Sequence, residues 1–194
     1  MDSFNDLTSA ATLLATRRSG KARDMVAPGP TPEQLRAILV SAMRVPDHGK
    51  LAPWRFVVVD SAQREALGAG LLAAYLAEKP GAGRLEQDAV LAFARQAPTL
   101  VIVLSRPDAA SHIPVLEQEL SAGAATTMLC VAAHAHGFVS NWLTGWATYS
   151  PAVQALIGEA GEHIAGFVFI GTQAKPMEER PRPDFDRVVR HWRG

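Results

Sequence analysis

Thr99-Leu100-Val101-Ile102-Val103-Leu104 is the stretch on which the fold turns. It is apolar without a break and rich in β-branched residues, and Pro98 introduces it. A strand with one wet face alternates apolar and polar side chains. An unbroken run predicts a strand buried on both faces. Working outward, residues 54–60, 138–142 and 164–170 read as further strands.

Helical patterns lie between them. Phe4, Leu7, Ala11 and Leu14 recur at helical spacing, which predicts an amphipathic helix over 3–16. Residues 24–30 read as a Pro/Gly loop. Thr31-Pro32-Glu33-Gln34 predicts a helix start, with Thr31 as N-cap, proline in the first turn and Gln34 closing a capping box. Leu35, Ile38, Leu39 and Ala42 give it an apolar face, and Val45-Pro46 ends it. Ser61 is expected to cap a helix over 62–77, and a further helix covers 84–95. Residues 114–136 are the longest helix candidate, and Gly137 stops it. Its centre, Ser121-Ala122-Gly123-Ala124-Ala125, is small enough to admit a neighbouring backbone or a flat ligand. Ser150-Pro151 caps a short helix that Gly158 ends. Helices alternating with about four strands predict a layered α+β or α/β domain.

Composition narrows the function. The chain has 194 residues, 19 basic and 19 acidic side chains, and is 48% hydrophobic. A neutral balance argues against nucleic acid or an anionic membrane as main partner, since both demand a basic surface. Met1 to Asp6 is acidic and has no signal-peptide core, and no apolar run is long enough to span a bilayer. The single cysteine, Cys130, reads as a small buried hydrophobe in a reducing, cytoplasmic setting.

No Gly-x-Gly-x-x-Gly follows a strand, so a Rossmann dinucleotide site is not expected. Two arginine clusters stand out instead, Arg17-Arg18-Ser19 and Arg180-Pro181-Arg182. Guanidinium forks and a serine hydroxyl suit phosphate oxygens. Solvated surface charge is the plainer reading of either cluster alone, and a helix C-terminus also favours cations such as those of the first. Arg44-Val45-Pro46-Asp47-His48 sets a cation, a carboxylate and an imidazole at a proline-stopped helix end. A backbone-capping loop is the plain alternative. At Asn141-Trp142-Leu143-Thr144-Gly145 a strand exit could offer amides and a hydroxyl to a heterocycle, or be an ordinary exit with a core tryptophan. His134 and His136 stand on different faces of one helix, so no metal set is expected.

Taken together the segments resemble the FMN-dependent nitroreductase family, in its small bacterial NAD(P)H nitroreductase branch. The resemblance rests on Arg17-Arg18-Ser19, on Met43 to His48 with Pro53-Trp54, and on Glu117 to Gly123. It continues through Trp142-Leu143-Thr144-Gly145 and Gly166 to Thr172. It implies one FMN-binding domain over 1–194, of α+β class, with a central, mostly antiparallel sheet flanked by helices. It implies an intertwined homodimer, with the long helix at the interface and the tail, 172–194, reaching over the partner.

The resemblance also implies non-covalent FMN, with Arg17, Arg18 and Ser19 on its phosphate and ribityl side. Arg44 and His48 would enter from the partner chain, Trp142, Leu143 and Thr144 would line the ring, and Arg180 and Arg182 would reach the phosphate. Leu143 replaces a basic residue of some relatives, and Glu178-Glu179 charge the tail differently from the nearest branch. The implied activity is hydride transfer from NAD(P)H through flavin to a nitroaromatic, quinone or similar acceptor, by a ping-pong route. No side chain stands out as acid or base. Lys50 is a candidate donor to the reduced ring. The other reading is a flavin carrier or sensor, in which Trp142 and Trp146 close the pocket to nicotinamide.

Overall fold

A computed structural model describes residues 4–194. The unbroken run is strand β3, Thr99–Ser105, whose residues from Leu100 to Leu104 are fully buried. It pairs antiparallel with β2, Trp54–Val59, and with β5, His163–Gln173. β5 in turn carries β4, Val139–Leu143, on its other edge, again antiparallel. The long strands therefore lie in the order β4-β5-β3-β2. Antiparallel neighbours throughout make this the α+β class.

Both faces of β3 are covered, as its lack of alternation requires. Leu100, Ile102 and Leu104 pack with Phe167 and Phe169 under α3, Arg64–Glu78, and α4, Arg84–Ala94. Val101 and Val103 pack with Val168 and Ile170 under α2, Pro32–Ala42, and α5, Val115–Ala135. Each such side chain contributes about 1.5–3 kcal/mol on leaving water. None of the described helices is long and apolar enough to cross a membrane.

The α2 start folds as its sequence states. The Thr31 hydroxyl accepts from the Gln34 amide at 3.2 Å, and the Gln34 side chain accepts from the Thr31 amide at 3.0 Å. Ser150 likewise caps α7, Pro151–Ile157, and Gly158 ends it.

Other expectations are corrected. The first helix, α1, spans only Ala10–Thr16, because Ser9 caps it there and Asn5 holds a left-handed turn upstream. The expected position 3 lies outside the described residues. Leu13 is its buried residue, whereas Leu7 and Leu14 stay exposed. Residues 24–30 are not all loop: Met25–Val26 form β1, paired with the end of β5. That pairing carries β5 beyond the expected 170. Ser61 caps no helix; Ser61–Gln63 is a 3-10 turn leading into α3. A one-turn helix α6, Trp146–Tyr149, follows β4 where no element was expected. The small patch of α5 divides: Ser121, Ala122 and Ala125 are buried beside the Val45-Pro46 turn and Trp54, while Gly123 and Ala124 remain half-open.

Candidate functional site

The basic turn leaves α1 at Arg17 and is fixed to the rest of the chain by main-chain bonds. Asn5 clamps Arg18, its side chain accepting from the Arg18 amide at 2.8 Å and donating to the Arg18 carbonyl at 3.1 Å. The Gly20 amide then donates to the Ser140 carbonyl at 3.2 Å, and the Ala22 amide to the Asn141 side chain. The turn is thus stitched along the outer edge of β4. Arg17 reaches the Ser19 hydroxyl at 3.3 Å. Two donors with no carboxylate partner among the described residues therefore point into the same space, which is the chemistry an anion requires.

Below Arg17 the last turns of α5 present Cys130 and His134, both buried. The His134 Nε2 accepts from the Ser140 amide at 3.2 Å and lies 3.0 Å from the Ser140 hydroxyl. Burial, helped by the Arg17 charge, pushes its pKa down to about 4, so the ring is neutral at pH 7. Burial pushes the Cys130 thiol up, against smaller opposing effects of Ser140 and Arg17, so it is inert as a nucleophile. Asn5, Ser140 and His134 were not candidates on sequence; each supports the turn through partners distant in the chain.

β4 is an edge strand, and its alternation decides what it offers. Ser140 spends both main-chain groups on the outer side, so Trp142 presents its amide and carbonyl there too. From Ser140 to Thr144 is about 13 Å along a strand. At the far end Gly145, at φ 130°, turns the chain where a side chain would be strained, and leaves open space above its Cα. The Trp142 indole lies over Gly166 and donates to the Ala165 carbonyl at 3.1 Å. Leu143 packs into the core on the opposite face, so only its main chain could serve a ligand. Thr144 borders a cavity of about 330 Å³ between α3, α4 and α6, walled by Leu71, Tyr75, Phe93 and Trp146.

The tail returns to the basic turn. Arg182 donates to the Arg17 carbonyl at 3.3 Å and to Glu179 at 3.0 Å, and Arg18 donates to the Glu178 carbonyl at 2.8 Å. The two arginine clusters, remote in sequence, meet. Arg180 contributes its main-chain amide to Glu179, and its guanidinium has no protein partner among the described residues.

Arg44 and His48 are not brought there. His48 bonds Glu117 at 2.7 Å, in the first turn of α5, while Arg17 acts on Cys130 and His134 near its other end. Thirteen residues of helix, Glu117 to Cys130, span about 20 Å. Asp47 fixes that loop by accepting from the Leu51 and Ala52 amides, and Lys50, at φ 56°, projects from it exposed.

The fold, with an anion-suited turn along a free strand edge, matches known proteins. The model of the nitroreductase family covers residues 14–172. A Haemophilus influenzae protein named "Putative NAD(P)H nitroreductase" is 37% identical over 175 residues, 89% of this chain and 93% of its own. Escherichia coli "Putative NAD(P)H nitroreductase YdjA" is 35% identical over 84% of this chain and 87% of its own. Among solved structures, a nitroreductase-like family protein from Bacillus cereus has TM-score 0.79 at 21% identity, covering 99% of this chain and all of its own. The FMN-dependent nitroreductase NfnB from Mycobacterium smegmatis, solved with NADPH, has TM-score 0.73 at 19% identity, covering 95% and 98%. The class defined is an oxidoreductase. The chain belongs to the nitroreductase family.

Proposed function

We propose that the protein binds FMN non-covalently and passes reducing equivalents from NADH or NADPH to a nitroaromatic, quinone or similar acceptor. The observation that carries this is the continuity of the basic turn with the free edge of β4. One end offers Arg17, Arg18, Ser19 and Arg182; the other offers the Trp142 main chain and the open space at Gly145. FMN is elongated, with a phosphate at one end and a flat heterocycle at the other, and this donor set suits it. When bound, FMN supplies the redox chemistry, taking a hydride and passing two electrons on. The chain holds the phosphate, offers main-chain groups to the ring edge, and orders the two substrates. The oxidised nicotinamide leaves before the acceptor enters, a ping-pong order. For a quinone, NAD(P)H gives a hydride, solvent gives one proton, and NAD(P)⁺ and the hydroquinone leave.

We further assign the functional unit as a homodimer of single-domain chains with shared sites. In one chain Arg17 and His48 lie toward opposite ends of α5. Two α5 helices packed antiparallel about a two-fold axis would bring Arg44 and His48 of one chain to the Arg17 end of the other. The outer stripe of α5 supports this, since Leu116 and Leu120 are 64% and 65% exposed beside half-open Gly123 and Ala124. The tail has a matching need. Phe185, Val188 and Trp192 are exposed, and β2 is an open edge beside an apolar groove at Val57, Val59 and Leu156. The partner's tail fits that groove. A cytoplasmic setting suits a nicotinamide-dependent enzyme with one reduced, buried thiol.

The test is an absorbance spectrum of the purified protein with FMN, followed by anaerobic mixing with NADH or NADPH. Bleaching of the flavin band is expected. A flavin-bound protein that no nicotinamide bleaches is a carrier or sensor. A protein that stays colourless overturns the FMN reading.

A further inference from the structure

Glu179 stands where the two arginine clusters meet. Its Oε1 accepts from Arg182 at 3.0 Å and from the Arg180 amide at 2.7 Å, and lies 4.0 Å from Arg18. The Arg180 amide, then Arg182 and Arg18, hold its carboxyl below the usual range, so it is anionic at neutral pH. Arg18 is held by the Glu178 carbonyl and Arg182 by the Arg17 carbonyl, so the cations converge around this one carboxylate. A carboxylate held by Arg18 and Arg182 takes up two of the cations that an anionic ligand would use.

We propose that Glu179 is a specificity gate for the cofactor's phosphate: it occupies Arg18 and Arg182 beside the Arg17–Ser19 space, and only a ligand bearing a phosphate monoester draws them away from it. This rests on the FMN reading. A phosphate monoester carries about −1.5 to −2 charges and three acceptor oxygens, so it can engage Arg17, Arg18 and Arg182 together. A carboxylate ligand offers no more charge than Glu179 already supplies. An uncharged riboflavin reaches only the strand edge and leaves the gate shut. Glu179 belongs to an exposed segment, so its departure opens no core, and it frees Arg182 to close on the incoming group.

The test is Glu179→Gln, which keeps an acceptor for the Arg180 amide and removes the charge. Flavin fluorescence titrations compare FMN with riboflavin, and Glu178→Gln serves as control because Glu178 enters the cluster only through its carbonyl. FMN should bind Glu179→Gln at least about fivefold more tightly, a difference well resolved in affinity, with riboflavin and the control within about twofold of the parent. Unchanged or weaker FMN binding overturns the gate, and weaker binding makes Glu179 a positioning residue instead. Equal tightening of riboflavin also overturns it. If the parent binds neither flavin, the FMN reading fails and the gate is judged on inorganic phosphate alone. The phosphate concentration that half-raises the thermal midpoint should then fall about fivefold in Glu179→Gln. No shift there overturns the gate.

Discussion

In the proposed FMN site Arg17 would carry the phosphate end, because among the described residues its guanidinium meets only a neutral hydroxyl. Removing one charge-assisted contact to a phosphate costs about 1.5–3 kcal/mol, so Arg17→Ala should bind FMN about ten- to a hundredfold more weakly in a fluorescence titration. Parent-like binding would make Arg17 ordinary surface charge. His134 gives a prediction of opposite kind, about stability. Its pKa is about 4 folded against 6.5 as the ordinary value. Above 6.5 neither state takes the proton and the stability is fully present. As pH falls from 6.5 to 4 the unfolded chain takes a proton that the folded chain refuses, and about 3 kcal/mol is lost. Urea midpoints of His134→Gln should be lower at pH 7 yet flatter across that window; an undiminished slope would assign the loss to other groups. Arginine beside serine was legible in the sequence because the two side chains are neighbours. His134 was not, because only the fold sets it against Ser140 and beneath Arg17.

At the scale of elements, local chemistry carried what it could reach. The Thr31 capping box and the unbroken run of β3 were legible because their partners lie within a few residues, or because their pattern states burial outright. The start of α1 was not, because Phe4 and Leu7 extend a helical period upstream that a left-handed Asn5 and the Ser9 cap override. β1 was illegible for another reason, since two residues gain strand character only from the end of β5. The fit between β4 and β5 is equally non-local. A Cβ on Gly166 would stand 2.0 Å from the Trp142 Nε1. Gly166→Ala should therefore expel the indole and break its bond to Ala165, at about 1–3 kcal/mol for forced repacking. Urea unfolding measures the loss, and a red-shifted tryptophan emission reports the exposed ring. An unshifted spectrum with parental stability would show that the indole does not lie over β5.

At the scale of the whole molecule, a layered domain of helices and strands was legible from a handful of apolar runs, its antiparallel sheet only through the family resemblance, and the comparisons place it in that family. The site was legible only in halves. Arg17-Arg18-Ser19 and Met43 to His48 each read as candidate ligand groups, and only the resemblance set them on different chains; the residues alone do not say that about 20 Å of helix separates them. The shared-site dimer answers that separation, and subunit mixing tests it. Arg17→Ala chains and Arg44→Ala/His48→Ala chains are each expected to bind FMN poorly as homodimers. They are co-refolded, because an interwound interface of more than about 2,000 Å² exchanges too slowly otherwise. In a shared arrangement, a mixed dimer pairs the intact Arg17 of one chain with the intact Arg44 and His48 of the other, and its second site carries both lesions. Half the dimers are mixed at equal input, so about a quarter of the sites should regain parental affinity. In an arrangement confined to one chain, every site keeps one lesion and nothing is regained. A titration with no tight phase, beside a parent that refolds with full FMN capacity, would return the site to the single chain. So would a double variant whose homodimer binds FMN as the parent does.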